Sequence, residues 1–307
     1  MRVYYCDHFE IPLPKGHKFP MRKYRLLREL LAADGVFEFV EAQPAAAEIV
    51  ELAHDPAYVR AFLDGSLSAA AMRRIGFPWS EGLVRRTMAS AGGTLAATRE
   101  AIATGVGGTL AGGTHHAFPS EGSGFCVFND VAIAIHWLRS QKLMRRAAVI
   151  DLDVHQGDGT ALFFENDPDV FTLSIHGANN FPFRKQRSKL DVELPDQTGD
   201  AEYLNALDAA LPNIFDFAPE IIFYLSGVDA LATDVLGRLA LTHEGLKQRD
   251  RRVISAVRSS RVPLVITLGG GYSNPIELTA EAHANTFRIA AEIFSTSASA
   301  PRLSSSR

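Results

Sequence analysis

Several things are scarce in this chain of 307 residues. Only two cysteines occur, Cys6 and Cys126, far apart. Without even, close spacing they exclude a disulfide framework, and both read as reduced and packed. No apolar run reaches about 18 residues, and the amino terminus, MRVYYCDHFEIPLP, has no long apolar core behind a basic start. Neither export nor membrane insertion is therefore indicated, and a cytoplasmic location is expected. Lys and Arg number 31 against 35 Asp and Glu, a formal charge of −4, so no direct nucleic-acid binding is expected. No repeat and no linker-like stretch interrupts the interior. Residues 1–295 are expected to form one catalytic domain, with two domains left open. Residues 296–307, where Ser, Ala and Pro replace apolar periodicity, are expected to be disordered.

What is present is an ordinary globular balance, 47% apolar and 21% charged. RVYYC, AAVIDLD, VFTLSIH, IIFYLSG and LVITLGGG are short β-rich runs without clean polar alternation, the pattern of parallel strands covered on both faces. Helical periodicity falls at 21–33, 81–103, 127–140, 202–217 and 243–259. The alternation predicts an α/β fold, a single-domain open parallel sheet sandwiched by helices. Polar residues collect where strands end: Asp151 and Asp153 on one, His176 after the next, Asp229 after a third, and Gly269 to Tyr272 after a fourth. In such sheets the crevice beyond the carboxyl ends is the usual site.

The stretch VIDLDVHQGDG places three aspartates and a histidine in eight residues, Asp151 to Asp158. Buried carboxylates need a cation, a proton or dense hydrogen bonding. In extended chain i and i+2 share a side, so Asp153 and His155 can hold one cation together while Val154 turns to the core. Asp229 would be the third ligand. Three protein ligands with an open fourth position suit a catalytic zinc, and oxygen-rich ligation also suits Fe2+, Mn2+ or Co2+. The alternative is that these aspartates cap turns and helices. In GGTHHAF a glycine turn can present His115 and His116 to one cavity as an acid/base pair, with Asp151 and Asp158 left as orienting partners. LGGGYSN brings backbone close to something at Gly269 to Gly271. It lacks Walker spacing, which disfavours a nucleotide.

GGTHHAFPSEGSGFCVFND, VIDLDVHQGDGT, LSIH, YLSGVDAL and LGGGY, taken in order, resemble the motifs of the zinc-dependent histone deacetylase superfamily across nearly all of residues 1–295. DHFEIPLPKGHKFPMRKYRLL and RRIGFPWS look most like its class IV and related bacterial branch. The resemblance implies an arginase/deacetylase-like fold and a metal-dependent amidohydrolase that removes an acetyl or longer acyl group from the ε-amine of lysine or a related amine. It implies zinc at Asp153, His155 and Asp229. His115 would be oriented by Asp151 and His116 by Asp158, and Tyr272 would donate to the substrate carbonyl. It implies a structural K+ or Na+ at Asp151 and Ser174 with main-chain oxygens of Asp153, His155 and Ile175. Phe125 and Phe181 would wall a tunnel, with Phe183 an alternative to the latter. Gly124 and Gly270 would line it, and Leu241 would sit near the rim.

One departure concerns the substrate. Many members hold the peptide backbone with an aspartate on the loop before the paired histidines, and here Pro78 lies near that place. An acylated lysine in a protein or peptide and a small acylated amine or polyamine both remain candidates. Two rival readings compete with this one. A two-manganese ureohydrolase would need ligands where Gly157 and Leu231 stand, and neither can ligate. A non-catalytic acyl-lysine binder would be expected to have lost a ligand, histidine or tyrosine, and none is missing. Nothing in the chain specifies an oligomeric state.

Overall fold

The computed structural model describes residues 1–295, and the tail expected at 296–307 lies outside them. Eight strands, β1 (Arg2–Tyr5), β2 (Glu38–Glu41), β3 (Val106–Thr109), β4 (Ala147–Asp151), β5 (Val170–Gly177), β6 (Leu190–Leu194), β7 (Ile221–Leu225) and β8 (Leu264–Thr267), form one sheet. Its order is β2-β1-β3-β8-β7-β4-β5-β6, and each pairing is parallel. The helices are α1 (Arg22–Ala33), α2 (Ala47–Val50), α3 (Pro56–Leu63), α4 (Ala69–Ile75), α5 (Glu81–Thr104), α6 (Asp130–Ser140), α7 (Asp158–Phe164), α8 (Asp200–Asp216), α9 (His243–Ser260) and α10 (Ile276–Ser295). Among the described residues no helix is long and apolar enough to cross a membrane.

The strands are apolar on both faces because both faces are covered. In β4, Ala148 and Ile150 join one core layer while Ala147 and Val149 join the other, and β7 divides Ile222 and Tyr224 from Ile221, Phe223 and Leu225 in the same way. The first layer is completed by Leu31 of α1, Leu207 of α8, Ile254 of α9 and Phe287 of α10. The second takes Phe62 of α3, Leu95 of α5 and Ile133 of α6.

All five expected strands and five expected helices are present, with helix ends displaced by at most three residues. The additions have local causes. β2 is a short edge strand with a glutamate at each end. β3 reads VGGT, and its glycines serve close packing rather than a turn: a Cβ on Gly107 would stand 2.0 Å from the Ala97 carbonyl oxygen of α5, and one on Gly108 would stand 2.7 Å from the Phe287 ring.

β3, β8, β7 and β4 are neighbours in the sheet although some 40 residues or more separate each from the next of them in the chain. Their carboxyl ends therefore open side by side. The loops that follow carry the paired histidines, the glycine triplet with Tyr272, Asp229, and the run from Asp151 to Asp158.

Candidate active site

Asp153, His155 and Asp229 converge, with their ligand atoms all within 4.8 Å of one another. His155 Nδ1 lies 3.0 Å from Asp153 Oδ1 and 3.1 Å from Asp229 Oδ2. Ligands at about 2.1 Å around a tetrahedral ion stand roughly 3.4 Å apart, so the spacing suits one small cation. Backbone donors fix the carboxylates. The Val154 N–H donates to Asp229 Oδ1 at 2.8 Å and the Gly270 N–H to Asp153 Oδ2 at 2.6 Å, leaving the other oxygen of each aimed at the imidazole. Val154 turns into the core, as the i, i+2 argument requires.

The electrostatics ask for positive charge at this point. Burial opposes a charged His155, yet hydrogen bonds to Asp153 and Asp229 push its pKa up to about 10. Burial and the Asp153 charge push Asp229 up. Two carboxylates, 1% and 0% exposed, thus share what cation is available, a proton on the ring or a metal among the three. The donor set fits a metal.

The paired histidines follow β3 on a turn where Gly112 and Gly113 adopt φ of 77° and 72°. Asp130, the first residue of α6, holds that turn by accepting from the Gly113 and Thr114 N–H groups at 3.1 and 2.8 Å. His115 Nδ1 is 2.7 Å from Asp151 Oδ2, and His116 Nδ1 is 2.6 Å from Asp158 Oδ1. The two rings differ in charge. Burial disfavours the His115 cation, but the charges of Asp151 and Asp153 raise its pKa to about 9. Burial and the neighbouring His115 hold His116 down at about 4 despite Asp158. The carboxylates thus favour the proton on His115, while burial and that neighbour disfavour one on His116.

Tyr272 lines the same cavity, and burial together with the Asp229 charge pushes its phenol well above the usual range, so it stays a neutral donor. Its backbone N–H donates to Asp234 at 2.6 Å, and Lys23 Nζ donates to the Gly269 carbonyl at 3.1 Å, which braces the glycine loop from beneath. Composition and spacing do not reveal Asp130, Asp234 or Lys23 as supports. Their partners are backbone groups that only the folded chain brings near.

The cavity holds about 620 Å³ and is lined by Gly124, Phe125, Phe181, Phe183 and Gly270 as well as the polar groups. Phe125 sits at φ 66°, costly for a side chain of this size, and its ring packs on Phe19 and Phe77 at 5.4 Å from each. Phe181 stands edge-on to His116 at 5.0 Å, whereas Phe183 is 84% exposed and forms the lip.

Three expectations need correction. Leu241 is not at the rim: it is fully buried in the first core layer, its N–H bonded to the Ala230 carbonyl, because the Leu231–Leu241 bridge turns it inward. Leu236 of the preceding loop lines the cavity instead. Pro78 is exposed and off the cavity, where its neighbours Gly76 and Phe77 contribute. His176 lies within β5 rather than beyond it, bonded to Ser174 Oγ at 2.9 Å, and Ser174 is the register partner of Asp151.

Comparison with known proteins agrees with this geometry. The histone deacetylase domain profile matches residues 17–289. An uncharacterized protein of Picosynechococcus sp. is 43% identical over 95% of this chain and 99% of its own length. Histone deacetylase 2 of Arabidopsis thaliana is 30% identical over 88% of this chain and 74% of its own. The crystal structure of acetylpolyamine aminohydrolase from Burkholderia pseudomallei superposes with a TM-score of 0.80 at 22% identity, covering 95% of this chain and 99% of that one, a likeness of fold. The chain belongs to the histone deacetylase family, as an enzyme of the deacetylase and amidohydrolase class on an arginase/deacetylase fold.

Proposed function

We propose that this enzyme hydrolyses the amide of an acylated lysine side chain, in a protein or peptide, using one divalent metal held by Asp153, His155 and Asp229. The observation that carries the reading is the convergence of this ligand set with two carboxylate-oriented imidazoles at the floor of an aromatic-walled cavity. Zinc is the metal we assign, with Fe2+, Mn2+ and Co2+ suited to the same oxygen-rich set.

When bound, the metal polarises the amide carbonyl and lowers the pKa of the attacking water. His116, neutral and oriented by Asp158, takes the proton from that water and delivers it to the amine nitrogen as the C–N bond breaks. The water oxygen remains on the acyl carbon, which leaves as a carboxylate. His115, kept cationic by Asp151, supplies positive charge to the developing oxyanion, and the Tyr272 hydroxyl donates a hydrogen bond to it. Asp151 and Ser174, side by side across β4 and β5, are our proposed holders of a structural K+ or Na+ beneath the His115 support.

The scarcity of acidic groups on the cavity lining favours acyl-lysine over acylpolyamine. Among the described residues Asp153 is the one carboxylate that lines it, and the two arginines at the mouth are already ion-paired, Arg74 with Glu121 at 2.9 Å and Arg238 with Asp196 at 3.2 Å. The further cations of a polyamine would find no free carboxylate on the lining beyond the metal ligand. The test compares acetyl-, butyryl- and myristoyl-lysine peptides with acetylated polyamines on metal-loaded enzyme. Chelator-sensitive turnover of a lysine peptide is expected at about one metal per chain. Inactivity on every substrate would remove the deacylase reading, and faster polyamine turnover would replace the lysine assignment.

A further inference from the structure

We propose that Arg249 is a positioning residue for the metal centre: a single guanidinium nitrogen holds the loops after β4 and β7 together and so sets the spacing of Asp153 and Asp229. Arg249 lies on α9 and is completely buried. Its Nη1 donates to the Gly227 carbonyl at 2.6 Å and to the Leu152 carbonyl at 3.2 Å. Leu152 directly precedes Asp153, and Gly227 stands two residues before Asp229. This role rests on the assignment of Asp153, His155 and Asp229 as metal ligands above.

Both carbonyls are buried and lie past the last residues of their strands, Asp151 of β4 and Leu225 of β7. A buried carbonyl without a partner is costly, and Arg249 supplies each with a charged donor. The two loops touch at this point. A Cβ on Gly227 would stand 2.4 Å from Asp153 Oδ2 and 2.8 Å from Asp153 Cα. The bond from the Val154 N–H to Asp229 Oδ1 crosses between the same loops. A shift of either loop therefore reaches both carboxylates.

The guanidinium is itself fixed by Asp250, which follows it on α9 and is 1% exposed. Arg249 Nε donates to Asp250 Oδ1 at 2.9 Å. The Tyr224 hydroxyl of β7 donates to the same oxygen at 2.5 Å, and the Thr286 hydroxyl of α10 donates to Oδ2 at 2.6 Å. An ion pair buried this deeply generally adds no more stability than packed apolar side chains of similar volume. What apolar side chains could not do is grip two carbonyls from separate loops.

The experiment uses the full chain, freed of metal, with the variants Arg249→Met, Arg249→Lys and Asp250→Asn, and Ile254→Ala as the comparison. Ile254 is on the same helix and buried in the first core layer, so its truncation lowers stability without removing a bond to either carbonyl. Competition with a chromogenic chelator gives the zinc Kd, the Tm of the metal-free chain gives stability, and the visible spectrum of the Co2+ form reports ligand geometry. Loss of a group that orients metal ligands predicts that Arg249→Met weakens zinc binding about 10–100-fold and alters the Co2+ bands. Arg249→Lys keeps a charged donor without the planar fork and should restore part of the affinity. Asp250→Asn, which loosens the guanidinium, should weaken it by a smaller factor than Arg249→Met. Ile254→Ala should lower Tm with zinc affinity at the parental level.

Zinc affinity and Co2+ spectra equal to the parent's in every folded Arg249 and Asp250 variant overturn the positioning role, whatever the change in Tm. A loss of affinity in Ile254→Ala as large as in Arg249→Met overturns it as well, because destabilisation alone would then account for the effect. If Arg249→Met does not fold, Arg249→Lys and Asp250→Asn decide by the same criterion. Parental zinc affinity in Asp229→Ala removes the ligand set and the positioning role with it. A parent that binds one zinc through Asp229 yet hydrolyses no acyl amide overturns the deacylase reading alone, and the positioning role stands where Arg249→Met weakens that zinc.

Discussion

Gly270→Ala is the substitution whose consequence is most directly measurable on the structure. An added Cβ would stand 1.7 Å from Asp229 Oδ2, 2.5 Å from its carboxyl carbon and 2.9 Å from Asp153 Oδ2. Real Cβ contacts are longer than 3.0 Å, so the Asp229 carboxylate or the glycine loop must move by more than an ångström. The loop is not free to do so, because Gly270 N–H is bonded to Asp153 and the Gly269 carbonyl is held by Lys23. Gly270 does not occupy the left-handed region, so backbone strain adds nothing to the clash. An oxygen displaced by more than an ångström cannot stay at the about 2.0–2.2 Å that a zinc–carboxylate bond needs. Disturbing a partner of a metal ligand typically costs about 10–100-fold in affinity, roughly 1.4–2.7 kcal/mol, and displacing a ligand should cost at least that. Metal content and turnover are measured on one preparation, with Gly199→Ala as the comparison because a Cβ there meets nothing within 4 Å. Gly270→Ala should show reduced metal occupancy after dialysis against a weak chelator, with activity falling in parallel. Full occupancy and parental turnover would refute the assignment of Asp229 as a ligand and the reason given for the glycine.

The remaining expectations follow the same site and its supports. Tyr272→Phe keeps ring and packing but deletes one oxyanion donor, so kcat should fall by about 10²–10³ with metal content unchanged; a kcat within a few-fold of the parent would exclude the hydroxyl from catalysis. Asp229→Ala should lose both metal and activity, and metal retained at the parental level would remove Asp229 from the ligand set. His54 is buried, with its Nε2 accepting the Asn129 N–H at 2.8 Å, and burial lowers its pKa to about 4 from 6.5. Above the unfolded value both states are neutral. As pH falls from 6.5 to 4 only the unfolded chain takes the proton, so stability is lost over that window, by about 3 kcal/mol at its lower end. Urea midpoints for His54→Gln should therefore show a shallower pH slope there than the parent's, and an identical slope would count against the assignment. Phe181→Ala removes the ring packed on His116 and should raise KM more than it lowers kcat; an unchanged KM would place the substrate elsewhere.

Local pattern was enough for the elements whose signal is strong over short distances. Strands buried on both faces announce themselves as continuous apolar runs, which is why β4, β5, β7 and β8 were legible, and the i, i+2 alternation alone placed Asp153 and His155 together with Val154 inward. The paired histidines and the glycine triplet were visible because such residues are costly unless something uses them. The edge strand β2 and the glycine-rich β3 carried no such signal, since their assignment depends on neighbours: β3 is a strand because α5 packs so close that only glycine fits at Gly107. The joining of Asp229 to Asp153 and His155 was likewise settled by sheet order, which sets β7 beside β4 although 75 residues separate Asp229 from Val154. Leu241 shows the reverse case, where a motif position said nothing of the direction in which the bridge to Leu231 would turn the side chain. Arg86 reads in sequence as one more helix arginine. Only the folded chain, by giving Asp7 to Arg28 and the Cys6 carbonyl and the Tyr24 ring to Arg86, makes it a buried charge without a carboxylate partner. The residue types and their short-range spacing determined the chemistry available, and the packing of distant segments decided which of those groups meet and which are left facing open space.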